Sequence, residues 1–259
     1  MRILFGSPDH HRIAPPPGME AQGRILELAT PYQELPEIAH YTGPFDAVLI
    51  SVAQCRAEAL PVLREIRRRG LRLPVVILAG QIEPEAEREA LHAGADDVLA
   101  GPIALPVLIA RLQAVVRRAL GHSSSLVTCG NVTLDQARQA VTVDGRPVRI
   151  TRREFDVLEM LMLRRGLLLT KEQFMSRLYG AEDGPDQRIL DVFVCKLRRK
   201  LAAAGAAEIV RTVWGRGYVA EEPGQAAVAA ARARHAAGQP RARRAHLAMA
   251  PAPRPLSAY

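Results

Sequence analysis

The side chains best placed for chemistry cluster near residue 190. From Asp186 to Ala204 the chain reads DQRILDVFVCKLRRKLAAA. On a wheel of about 100° per residue, Leu190, Phe193, Val194, Leu197 and Leu201 gather on one side. Arg188, Val192, Cys195 and Arg199 lie opposite, with Lys196 at the flank. Such a helix has an apolar face to dock and a basic face to present. In a DNA major groove, Arg and Lys pair with guanine edges and Val meets thymine methyls. Taken alone, Arg198-Arg199-Lys200 is equally a solvated helix face. Further on, Arg216 stands between Gly215 and Gly217. An Arg at a hairpin tip can enter a narrow minor groove, although Gly-x-Gly by itself is an ordinary turn.

Other reactive residues are sparse. Cys55, Cys129 and Cys195 form no CxxC pair and no disulfide ladder. Cys195 falls on the basic face, as a packed or groove-facing small residue rather than a redox centre. Asp9-His10-His11 offers metal donors without a further ligand nearby, and reads as a polar loop. No catalytic constellation, metal site or cofactor is expected, and the chain does not read as an enzyme.

The elements that must position these residues follow from the rest of the chain. It has 259 residues, 48% of them hydrophobic, and a formal net charge of +8. No apolar run approaches the ~18 residues of a membrane span, so a cytoplasmic chain with no membrane partner is expected. Residues 1–121 hold thirteen basic and fourteen acidic residues; 122–222 hold sixteen and thirteen; 223–259 hold six and none. The excess charge therefore sits mainly in the tail.

Up to residue 121, short apolar runs alternate with helical patterns. Arg2–Gly6, Arg24–Ala29, Phe45–Val52, Leu73–Ala79 and Asp97–Ala100 read as strands. Residues 57–70, 84–93 and 105–120 read as helices. This alternation predicts an α/β, doubly wound parallel sheet. The helix due after the first strand meets Pro15-Pro16-Pro17-Gly18, so it must be short, displaced or absent. From 122 to 127 a small polar linker is expected. Then come strands at 131–135 and 139–143, a hairpin turn at Asp144-Gly145, and a capping box at Thr151–Glu154 opening a helix. Thr170 caps a second helix, Asp186 opens the longest, and a hairpin closes the unit near Glu221. Strands, three helices and a hairpin predict a winged helix-turn-helix (α+β) over 128–222. The Ala-, Arg- and Pro-rich segment 223–259 reads as a disordered basic tail.

These motifs resemble the OmpR/PhoB family of response regulators, and within it the alphaproteobacterial cell-cycle regulators. The likeness rests on Leu169-Thr170-Lys171-Glu172-Gln173-Phe174, Leu178-Tyr179-Gly180, Asp191–Arg198 and Thr212–Val219, and more loosely on Phe45-Asp46, Gly94–Asp97 and Ala114–Arg118. It implies a receiver over 1–121 followed by the winged domain. It implies that the 186–204 helix enters the major groove and the wing touches the neighbouring groove or backbone. The DNA-binding residues it implies are Arg188, Val192, Cys195, Lys196, Arg198, Arg199, Arg216 and Tyr218. The expected partners are double-stranded DNA with A·T-rich repeated elements, and RNA polymerase at a loop of Gly180, Ala181, Glu182 and Asp183.

Against the family pattern the receiver is degenerate. The metal-binding acidic positions after the first strand hold Ser7 and Pro8, leaving Asp9. The phosphoacceptor position holds Ser51, the hydroxyl position Ala79 and the lysine position Gly101. A trianionic transfer needs metal and cation to neutralise it. Their joint loss points to a pseudo-receiver and to a regulator that acts without Asp phosphorylation. The alternatives are an antagonist at promoters shared with a true regulator, or an adaptor whose pseudo-receiver binds a partner or ligand. A homodimer is expected through Asp96, Asp97, Leu105, Leu108, Arg111 and Arg118.

Overall fold

The computed structural model describes residues 1–8, 15–20, 24–180 and 185–238. Five strands, β1 (Arg2–Gly6), β2 (Ile25–Leu28), β3 (Ala47–Gln54), β4 (Val75–Gln81) and β5 (Asp97–Ala100), form one sheet in the order β2-β1-β3-β4-β5. Every pairing in it is parallel. Continuous Val/Ile/Leu runs suit strands covered on both faces. On one face Leu4, Val48, Ile50 and Ile77 pack with residues of α1 (Leu35–Tyr41), α2 (Leu60–Arg68) and α3 (Pro84–His92). On the other, Ile3, Phe5, Leu49 and Val76 pack with Leu108, Leu112 and Val115 of α4 (Leu105–Ala119).

The described residues between β1 and β2 contain no helix. Instead Met19, 1% exposed, plugs that second face. Its turn is closed by Met19 N–H to Pro16 O at 3.1 Å, and Arg24 Nε donates to Met19 O at 2.9 Å. The proline run excludes a helix, and one methionine fills part of the space.

The second half opens with an antiparallel sheet ordered β6 (Leu126–Cys129), β7 (Val132–Asp135), β8 (Ala140–Val143), β9 (Arg146–Val148). Strand β6 begins inside the span expected as linker at 122–127, because Val127 alternates into the core. Helix α5 (Arg152–Leu163) starts at the predicted capping box, with Thr151 Oγ1 accepting from Glu154 N–H. A two-residue strand, β10 (Leu169–Thr170), leads into α6 (Lys171–Tyr179), which has a second capping box from Thr170 to Gln173. Then follow α7 (Arg188–Ala203), β11 (Val210–Val213) and β12 (Gly217–Ala220). The closing sheet has the order β10-β12-β11. The α/β sheet followed by a winged helix-turn-helix is as expected.

The tail departs from the expected disorder. Residues 223–238 are not without structure: α8 covers Gln225–Gly238. Alanine is the strongest helix former, so a segment without core periodicity can still be helical when something holds it. Arg232 Nη2 binds Asp144 Oδ1 at 2.5 Å, and Ala231 is buried. Residues 239–259 lie outside the described residues.

The two halves meet at the N-terminal ends of the strands. Arg2 lies 4.5 Å over the Phe45 ring, forms an ion pair with Glu27 on β2, and donates from Nη1 to Ser176 Oγ on α6 at 2.6 Å. Asp46 accepts from Arg164 and Arg177 of the winged half.

Candidate nucleic-acid interface

Helix α7 is fixed through its apolar side. Leu190, Val194, Leu197 and Leu201 are buried against α5 and the sheets, with Phe193 partly buried beside them. Arg188, Val192, Cys195, Lys196 and Arg199 are exposed. Val192 is 46% exposed, an apolar side chain in the middle of a charged surface. None of Arg188, Lys196 or Arg199 has a carboxylate partner among the described residues. A ridge of uncommitted cations around a branched apolar residue matches the donor and methyl pattern of a major groove.

The wing is locked to this helix by a polar chain. Tyr218 Oη donates to Asp191 Oδ1 at 2.6 Å, and Lys171 Nζ donates to Asp191 Oδ2 at 2.8 Å. The hydrogen bond from Lys171, then that from Tyr218, holds the Asp191 carboxyl below its usual range against a smaller opposing effect of burial. Burial, then the bond to Asp191, pushes the Tyr218 phenol up, so it stays a donor. Gly217 has φ +147°, and a Cβ there would collide with Leu169 O. The glycine therefore permits the pairing of β10 with β12 that places Lys171.

Two residues expected on the DNA face are absent from it. Tyr218 is 5% exposed and engaged with Asp191. Arg198 folds back: Nε and Nη2 donate to Val210 O at 3.1 and 2.8 Å, and Nη2 to Thr212 Oγ1 at 2.9 Å. It also lies 5.8 Å over the Tyr218 ring. Both brace the wing against α7. Lys200 is likewise committed, at 2.6 Å to the buried Glu154.

One residue was missed. Trp214 is 90% exposed at the wing tip beside Arg216. A cleft of about 460 Å³, between the wing and the starts of α6 and α7, is lined by Lys171, Gln187, Asp191, Trp214 and Arg216. The chain's single tryptophan, beside Gly215 in a tight turn, was the available signal. Of the loop expected to meet polymerase, Gly180 ends α6 with φ +85°, while Ala181, Glu182 and Asp183 lie outside the described residues.

In the first half, Ser7, Ser51, Ala79 and Gly101 lie at or just past the C-terminal ends of neighbouring strands, as Gly6 pairs with Ile50, Ser51 with Leu78 and Ala79 with Ala100, and Gly101 N–H donates to Ala79 O at 2.8 Å. Pro8 is exposed, and Asp9, His10 and His11 lie outside the described residues. Ser51 is 3% exposed and internal to β3, which runs on to pair Gln54 with Gln81. The Glu58 carboxylate accepts from Ala53 N–H and Gln54 N–H at 2.8 and 2.9 Å, which commits it to the backbone. Leu35 presses on Gly6, so that a Cβ there would collide with it. Among the described residues no three His, Cys, Asp or Glu side chains gather as a metal site.

The expected dimer face is only partly available. Leu108 is fully buried in the core under α4, so it cannot meet a partner. Asp96 is taken by Arg67 at 3.0 Å and Val75 N–H at 2.8 Å; Asp97 is taken by Arg111 at 3.1 Å. Leu105 is half-buried and Arg118 is exposed. Val107 on α4 and Leu91 on α3 are further exposed apolar residues of this half.

Residues 145–220 match the family of C-terminal domains of transcriptional regulatory proteins. The chain is 41% identical over 180 residues to the cell cycle response regulator CtrA of Brucella anthropi, covering 69% of this chain and 78% of that protein. The same figures hold for CtrA of Brucella ovis. Among solved structures, the response regulator DrrB of Thermotoga maritima, an OmpR/PhoB homologue, is 18% identical, with 85% of this chain and 98% of that one covered and a TM-score of 0.38.

Proposed function

The chain belongs to the OmpR/PhoB family of DNA-binding response regulators, in its CtrA-like branch, and from that premise we propose that it reads specific DNA sequences without Asp phosphorylation. The observation that carries the DNA reading is the exposed ridge Arg188, Val192, Cys195, Lys196 and Arg199 on a helix whose other side is anchored in the core. Arg216 and Trp214 extend it onto the wing. The helix would lie in the major groove, and the wing would reach the adjacent minor groove or backbone.

Phosphate independence is supported by the filled acceptor region. Ser51 is buried within a strand, Ala79 and Gly101 offer neither hydroxyl nor cation, and Glu58 is committed to backbone amides. Selection of bound sequences from random DNA by the full chain, with no phosphodonor, tests both parts. An enriched repeated A·T-rich element is the expected result.

Relatedness to CtrA also supports a second outcome, competition with a true CtrA-type regulator at shared promoters. Transcription in vitro with RNA polymerase separates activation from occlusion. Self-association, if it runs through the first half, would use Leu105, Arg118 and the exposed Val107 and Leu91, with the Asp96 and Asp97 pairs either kept within one chain or exchanged.

A further inference from the structure

At the seam between the halves lies a cleft of about 300 Å³. Phe45, Asp46 and Arg72 reach it from the first half, Arg164 and Arg177 from the second, and Val116 of α4 forms part of the apolar wall. The side chains of Arg164 and Arg177 are 10% and 8% exposed. They share one carboxylate oxygen: Arg164 Nη2 lies 2.5 Å and Arg177 Nε 3.0 Å from Asp46 Oδ1. The other oxygen, Oδ2, accepts Arg2 N–H at 2.8 Å. Arg177 Nη1 is buried and has no acceptor among the described residues. Arg72 is exposed and has no ion pair among them. Glu159, the other carboxylate acting on Arg164, lines the adjoining crevice and accepts from Gln136 Nε2 at 2.9 Å.

The charge here is unbalanced. Two buried guanidinium groups share the Asp46 carboxylate, Glu159 acts on Arg164 from the adjoining crevice, and a third guanidinium stands at the mouth, so three cations face two carboxylates. A buried cationic N–H without an acceptor is costly, and an oxyanion relieves it. Arginine forks suit phosphate in particular, through parallel charge-assisted hydrogen bonds. The opposing feature is Asp46 itself, whose lone pairs are already turned to its three donors.

We propose that this cleft binds a small phosphate-bearing anion that bridges Arg72 of the receiver-like half to Arg177 of the winged half. A ligand touching both halves stabilises their docked arrangement. By linkage it opposes any step that requires them to separate. The site stands independently of the DNA reading above, since it shares no residue with α7 or the wing.

The test is a titration of the full chain with sodium phosphate against sodium chloride at matched ionic strength, read by calorimetry and by Tm. The expected result is saturable binding with a rise in Tm. Arg72→Ala, at an exposed position that leaves the Asp46 cluster intact, should weaken binding at least about ten-fold. Arg64→Ala, exposed on α2 and not among the residues lining the cleft, should bind as the parent does. A parallel titration with glycerol phosphate identifies the source: tighter binding assigns the cleft to a phosphomonoester, equal or weaker binding to the free ion. The proposal is overturned if neither anion binds beyond the chloride control, or if Arg72→Ala binds them as tightly as the parent.

Discussion

Arg177 Nε on the second helix of the winged half lies 3.0 Å from Asp46 Oδ1 at the entrance to the third strand of the first, 131 residues away in sequence. Both side chains are buried. Burial alone would raise the Asp46 pKa. Arg164, Arg177, the N-terminal amine and the Arg2 N–H together outweigh it and hold it at about 2. The folded value lies below the unfolded one, so this carboxylate stabilises the fold above about pH 4. That contribution, on the order of 2 kcal/mol, is lost as pH falls from 4 towards 2. Asp46→Asn should cost about 3–5 kcal/mol in urea unfolding, because it strands two buried cations. It should also flatten the acid limb of the stability profile. A variant as stable as the parent, with the same acid limb, would show the seam to be energetically idle.

The long helix separates reading from bracing. Lys196→Ala should weaken binding to the selected site by about 1–3 kcal/mol if it contacts a base, with Tm unchanged. If Lys196 meets only phosphate, the loss should be equal on all sequences. Arg198→Ala should instead lower Tm, because the Val210 carbonyl and Thr212 hydroxyl lose their donor. Electrophoretic or anisotropy titration beside thermal unfolding distinguishes the two.

This division was legible in the sequence, but only with finer use of the wheel. From Leu190 at zero, Arg198 falls at about 80°, beside Val194 at about 40°, whereas Arg199 falls near 180°. An arginine at the boundary of the apolar face has a stem to bury and a head free to fold onto neighbouring carbonyls. Tyr218, which the resemblance puts on the DNA face, turns inward for a different reason. Strand alternation cannot show which side of a short hairpin faces the helix until the partner of its hydroxyl, Asp191, is known. The parallel sheet, the Thr151 capping box, the Thr170 cap and the core leucines of the long helix followed directly from pattern. Strand Leu169–Thr170 did not, since two residues carry no period. The seam did not either: Asp46, Arg164 and Arg177 look like ordinary surface charges until the two halves dock.

Tyr218→Phe should cost about 1 kcal/mol of stability, the usual worth of one hydrogen bond. Lys171 still pairs with Asp191, so the fold should persist. Affinity should fall modestly through a looser wing, and the fluorescence of Trp214 should report it. Trp214 is the only tryptophan, so its emission should change on DNA binding in the parent chain. An emission unaltered by saturating DNA would remove the wing from the interface.

Two truncations divide the tail. Stopping after residue 238 removes Arg241, Arg243, Arg244 and Arg254 and keeps the docked helix. It should flatten the salt dependence of DNA binding and leave Tm and sequence preference intact. Stopping after residue 222 also removes Pro223, Ala231 and the Arg232–Asp144 pair, and should lower Tm as well. Equal Tm values for the two truncations would show that the helix adds no stability.

A CtrA-like regulator that reads DNA with its acceptor site out of use should be indifferent to a phosphoryl mimic. The direct measurement is the affinity of the full chain for its selected site, by anisotropy, with and without beryllofluoride and Mg²⁺. The same Kd is expected in both conditions. A clear tightening with beryllofluoride would contradict it and would place a working acceptor in the first half.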